Sequence, residues 1–140
     1  MSSIASLVAS PRFLPRVMAL DAASCALTGA AQLGFTDALA RLTGLPAGLL
    51  TGTGLFLLGY AVVAAWLALR QPVPRILIGL VAMGNLGWAV GCVLLMAAGP
   101  FALSALGMAW LLAQAVTVLL LADAQWMGLR ATRTPRAVLA

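Results

Sequence analysis

At 140 residues and 14.3 kDa the chain is short enough to be one domain, and 64% of it is apolar against only 8% charged; soluble domains carry about 25% charged residues. A chain of this size buries only about 60 to 70% of the surface its unfolded form exposes, so this composition excludes a soluble fold and makes lipid the solvent for much of it. With no His, no Lys and no Glu, bis-His haem, His-bearing zinc sites, Schiff-base lysines and glutamate-dependent chemistry are excluded too. The expectation is a single all-α membrane domain over residues 1–140.

The first apolar segment runs over about 13–35 and is interrupted by Arg16, Asp21 and a few small polar residues. It reads as a membrane span. A cleaved secretory leader is the competing reading, because Arg12 and Arg16 precede an Ala-rich stretch that ends near Gly29-Ala30-Ala31. Asp21 argues against it, since the apolar core of a leader is normally free of acids. In the loop that follows, Asp37 to Leu42 predicts one or two turns of interfacial helix. Between Arg41 and Arg70 lie 28 uncharged residues, which predict a second span over 48–69. Another 47 uncharged residues separate Arg75 from Asp123. As one helix they would run about 70 Å, and a hydrocarbon core is about 30 Å thick, so the segment crosses twice. Gly99-Pro100 is the break, where Gly ends one helix and Pro begins the next, giving spans over 76–98 and 101–123 and a tail over 124–140.

Seven of the eight arginines fall on one side of this layout and Arg41 alone on the other. The positive-inside rule then places both termini in the cytoplasm. Trp66 and Trp126 each stand four residues before an arginine, Arg70 and Arg130, where interfacial anchors belong. A net charge of +5 and a pI near 11.2 do not argue for nucleic acid as a partner, because the arginines are spread over short segments with no aromatic-basic strip. Attraction to anionic headgroups, worth about 1 kcal/mol per basic residue, accounts for them.

Within the first span Asp21, Ser24, Cys25, Thr28, Gly29 and Gln32 recur at helical spacing and share one face. Val17, Leu20 and Leu27 take the opposite face. A carboxyl in mid-membrane costs about 2.5 to 3.5 kcal/mol on the translocon scale, so Asp21 is expected to face the bundle. Counting inward from the helix ends brings Asp21, Asn85 and Gln114 to similar depth, with Ser24, Thr28 or Tyr60 completing one polar layer. Gly48 with Gly52, and Gly87 with Gly91, have the GxxxG spacing that lets helices approach closely. Cys25 and Cys92 read as small apolar packing residues. No metal-ligand set and no catalytic constellation is visible.

With Arg16 to Asp21 opening the first helix, Leu45-Pro46 before the second, Asn85 and Trp88 in the third, Leu112-Ala113-Gln114 in the fourth and Gln125 to Arg130 closing it, the chain resembles a family of small bacterial inner-membrane proteins. The resemblance implies a four-helix bundle in the bacterial inner membrane and assigns no chemistry. Small multidrug resistance transporters are similarly short, but their essential acid is a glutamate, which this chain lacks. The reading is therefore a four-span bundle, amino and carboxyl ends inside, serving as a non-enzymatic structural or accessory subunit, as a homo-oligomer or within a larger membrane complex. One alternative is a proton- or cation-coupled transporter or channel built as an oligomer around Asp21. Another is a subunit holding a hydrophobic cofactor, such as a quinone or carotenoid, beside Trp88 and Trp110.

Overall fold

Six helices account for most of residues 2–133, the part of the chain that the computed structural model describes. They are α1 (Ser2–Val8), α2 (Phe13–Gly34), α3 (Thr36–Thr43), α4 (Ala47–Leu69), α5 (Arg75–Ala98) and α6 (Ala105–Ala131). No strand occurs among the described residues. The end of the expected tail, 134–140 with Arg136, lies outside them.

Helices α4, α5 and α6 are each long and apolar enough to cross a membrane. With 22 residues α2 is also of spanning length, but Arg16, Asp21 and its small polar residues dilute its apolar character. Helix α3 falls where Asp37 to Leu42 predict an interfacial turn or two.

The fourth long helix departs from the expected 101–123 at both ends. Gly99 closes α5 in the left-handed conformation, at φ +58°, which glycine adopts without a Cβ penalty. Pro100 does not open the next helix. Ser104 does, its hydroxyl accepting from Gly107 N at 3.0 Å, because a side-chain cap satisfies an otherwise orphaned helix N–H. At the other end Asp123 is exposed and interrupts nothing, so α6 continues to Ala131.

Two antiparallel hairpins build the bundle: α2 packs along α4, with α3 between them in sequence, and α5 packs along α6. All four long helices meet at the arginine-rich end, where Leu14, Met18, Leu67, Ile78, Val81 and Leu129 form one buried cluster. Here Gly128 seats against Leu14 and Phe13, and a Cβ on Gly128 would lie 2.6 Å from a Leu14 methyl. Arg75 donates to the carbonyls of Leu129 and Thr132 and, at 2.7 Å, to Thr132 Oγ1, so it covers carbonyls that the end of α6 leaves unpaired. At the far end Ser104 N donates to Thr43 O at 3.1 Å and the Ser104 hydroxyl to Leu42 O. Between these two ties the backbones of α4 and α5 come close at few points, and beyond the side-chain contacts of Tyr60 with Val81 and Phe56 with Trp88 a cleft remains.

Close helix approach falls on glycines other than the predicted ones. A Cβ on Gly29 would lie 2.8 Å from Gly54 O, so α2 and α4 cross backbone to backbone there. Gly107 is pressed against the backbone of Thr43. Gly48, Gly52, Gly87 and Gly91 have no neighbour within 4 Å of a Cβ built on them, so neither GxxxG pair packs helices within this chain. Their faces turn away from the hairpin partners: Gly48 and Gly52 are exposed on α4, and Gly87 and Gly91 open onto the cleft.

Candidate functional site

The expected polar layer exists as two layers, separated along the bundle. The first lies toward the arginine-rich end and is centred on Asp21, which is 0% exposed. Its Oδ2 accepts from Gln125 Nε2 at 2.7 Å and from Asn85 Nδ2 at 2.8 Å. Asn85 also donates to Gln125 Oε1 at 3.3 Å, and Gln125 Nε2 rests 3.5 Å from Met18 Sδ. Cys25 Sγ, 3.6 Å from Oδ1, is a weak donor to the other oxygen. Three helices, α2, α5 and α6, are thereby joined through a single carboxyl. Cys25 is thus more than an apolar filler, while Cys92 lies in the apolar cluster of the other half. Neither cysteine is in a disulfide.

Gln114 is not part of this layer. On α6 it lies eleven residues before Gln125, about 16 Å along the helix, and its Oε1 accepts from Trp88 Nε1 at 3.1 Å. Nearby, Thr53 Oγ1 donates to Gln32 Oε1 at 3.0 Å, linking α4 to α2. This second layer borders the cleft. Tyr60 bridges α4 to α5 by donating to Val81 O at 3.1 Å and makes no bond to Asp21. Ser24 turns back to Asp21's own backbone carbonyl at 2.9 Å. Thr28 joins Ser24 in lining a small opening of about 170 Å³ between α2 and α6. On α2, Leu20 and Leu27 are exposed as expected, whereas Val17 is buried. The seam is wider than the polar residues alone suggested.

Gln125 is the residue that sequence reasoning missed. The signal was present: Gly107, Trp110, Gln114 and Leu121 follow one helical stripe, and the next position on it is Gln125. Ending the span at Asp123 cut the stripe short.

The cleft between the far halves of α4 and α5 has a volume of about 580 Å³. Aromatic rings close its inner end, with Phe56 stacked on Trp88 at 5.9 Å and an interplanar angle of 7°. Trp110 enters its wall with a buried indole N–H that has no acceptor among the described residues. At the arginine-rich end Trp66 and Trp126 are roughly half exposed, with the Arg70 and Arg130 guanidinium groups 4.8 and 5.4 Å from their ring centroids. No group of three or more potential metal ligands occurs among the described residues.

The chain matches no protein-family model, no curated protein and no solved structure.

Proposed function

We propose that the chain is a four-span protein of the bacterial inner membrane, both termini cytoplasmic, acting as a non-enzymatic structural or accessory subunit. The apolar length of α4 to α6 supports the membrane setting. Fewer than four in ten residues of each spanning window are buried within the chain, so the bilayer and neighbouring subunits, copies of this chain or others, are the surroundings the rest of the surface suits. The arginines gathered at one end, beside Trp66 and Trp126, fit a headgroup boundary on the cytoplasmic side.

One observation carries the accessory reading over transport. Asp21 is fully buried and its carboxyl is held from two other helices by Asn85 and Gln125. A carrier's acid must exchange its partner with water, whereas an acid enclosed by amides joins helices. Asp21→Asn in proteoliposomes separates the two. The substitution should destabilise the protein by about 1 to 3 kcal/mol, the cost of disrupting a buried polar partner set, read as a lower thermal midpoint, and proton and cation flux should be no different from empty vesicles for either form. Full thermal stability together with loss of a pH-driven flux present in the wild type assigns Asp21 to transport.

A further inference from the structure

Scattered arginines are drawn to an anionic surface without forming a site, but at the meeting of α5 and α6 three of them enclose a space. Arg75 begins α5, Arg130 lies in the last turn of α6 and Arg133 just beyond it, and together they line an opening of about 260 Å³ between the two helices. No carboxylate side chain offsets them. The chain has three acidic side chains, Asp21, Asp37 and Asp123, and none of them lines the opening. Two of the guanidinium groups are already fixed. Arg75 is held by Thr132 and Leu129 through Nη1 and Nη2, while its Nε–H has no partner among the described residues. Arg130 rests 5.4 Å from the Trp126 ring centroid. Donors ordered in advance cost less to arrange around a ligand, and guanidinium matches a phosphate in geometry as well as in charge.

Position decides what carries the phosphate. Helices α5 and α6 are both long and apolar enough to span, so an opening between the start of one and the end of the other lies at headgroup level, where a tryptophan such as Trp126 belongs. Ile76, also in the wall, begins an exposed apolar row with Leu80 and Met83 along α5, against which acyl chains can lie. Gly79 keeps the space open. One turn from Arg75, it has only a Leu129 methyl nearby, 4.0 Å from a Cβ built on it. The volume of about 260 Å³ falls just below the roughly 300 to 1,000 Å³ of sites that enclose a whole small molecule, which suits a headgroup whose chains stay outside. A choline or ethanolamine headgroup adds a cation, for which the opening has no carboxylate, and Arg130 already occupies the Trp126 ring. We infer that this opening is a binding site for the phosphate of an anionic phospholipid, held among Arg75, Arg130 and Arg133. The inference rests on the membrane setting and not on which side of the membrane the arginines face.

The test is the thermal midpoint of the full chain in dodecylmaltoside as phosphatidylglycerol, phosphatidylcholine or inorganic phosphate is added, at about 0.15 M salt, where charges are screened beyond about 8 Å. The expected result is a saturable rise with phosphatidylglycerol and none with the other two at equal concentration. Arg130→Gln and Arg133→Gln should each weaken binding about tenfold, the size of one charge-assisted hydrogen bond. Gly79→Leu keeps every charge and fills the space, so it should abolish the saturable rise. Arg70→Gln removes an arginine that stands over Trp66 and outside the opening, and should change binding less than about twofold. If Arg130→Gln or Gly79→Leu misfolds, Arg133→Gln decides, because Arg133 is exposed. Equal weakening by Arg70→Gln reduces the effect to diffuse attraction, and saturation by inorganic phosphate alone assigns the site to a soluble anion; either overturns the inference, as does equal binding of phosphatidylcholine. A chain that stays dispersed without detergent contradicts the membrane setting itself, whereas one that needs detergent and shows no saturable rise contradicts this inference alone.

Discussion

Asp21 shows how a charge-bearing side chain is accommodated in the buried interior of a helical bundle. The energy of an average interhelical hydrogen bond in a membrane is small, about 0.6 kcal/mol, but the cost of leaving a buried carboxyl unpaired is larger, about 1 to 3 kcal/mol or more. The second figure governs Asn85 and Gln125: their value lies mainly in preventing an orphaned acid. Since both donate to the same oxygen and to each other's neighbourhood, they should be coupled. A double-mutant cycle of Asn85→Ala and Gln125→Ala, followed by denaturation in detergent, should give a coupling energy of about 0.5 to 3 kcal/mol, as for other residues in one network. Asn85→Ala with Gln114→Ala should be additive within about 0.5 kcal/mol. Coupling to Gln114 of the same size would return the bundle to a single polar layer. Much of this site was legible: Asp21 on an inward face and Asn85 at its depth follow from spacing alone. Gln125 was hidden by a boundary, since a charged residue at position 123 resembles the edge of a span although a helix passes it without difficulty.

At the scale of the helices, what sets their approach is the absence of a side chain at a few points. The spacing of Gly48 and Gly52, or of Gly87 and Gly91, has no power to say which partner a helix face will meet. Gly29, Gly54, Gly107 and Gly128 do the packing because they lie where the hairpins cross and where the ends tie together. A one-dimensional motif records periodicity, whereas crossing points depend on the relative rotation of two helices. The contrast is measurable. Gly107→Ala forces a methyl group onto the Thr43 backbone and should cost about 1 to 3 kcal/mol, as overpacking does. Gly52→Ala adds a methyl group in open space and gains helix propensity, so it should be neutral or stabilising by up to about 1 kcal/mol. Thermal unfolding of the two variants in the same detergent checks the difference, and equal destabilisation contradicts the assignment. The helix start at Ser104 belongs to the same lesson. A side-chain cap tied to Leu42 and Thr43 prevails over the intrinsic tendency of Pro100 to begin a helix, because it satisfies a backbone donor and holds the loop at once.

For the molecule as a whole, composition and uncharged run length carry most of the information. Long stretches without charge cannot be placed in water, and their lengths against a bilayer of about 30 Å divide them into helices. The ends of α2, α4 and α5 fall within a residue of the segments read from charge spacing. What that spacing does not contain is the unequal packing of the four long helices: two tight hairpins, pinned at both ends, with a cleft where α4 and α5 part. Such an arrangement depends on three-dimensional contacts among residues far apart in the chain. The decisive element is α2, which has the length of a span and an acid in its middle. If the Asp21 lock holds it inside the bundle, α2 crosses with the others and the two chain ends share one side. The most direct measurement tags the amino and carboxyl ends of the same protein and reads each tag's accessibility in intact cells and after permeabilisation. Both tags protected until the inner membrane is opened is the expected result. Tags found on opposite sides of the membrane mean an odd number of crossings and contradict the four-span bundle.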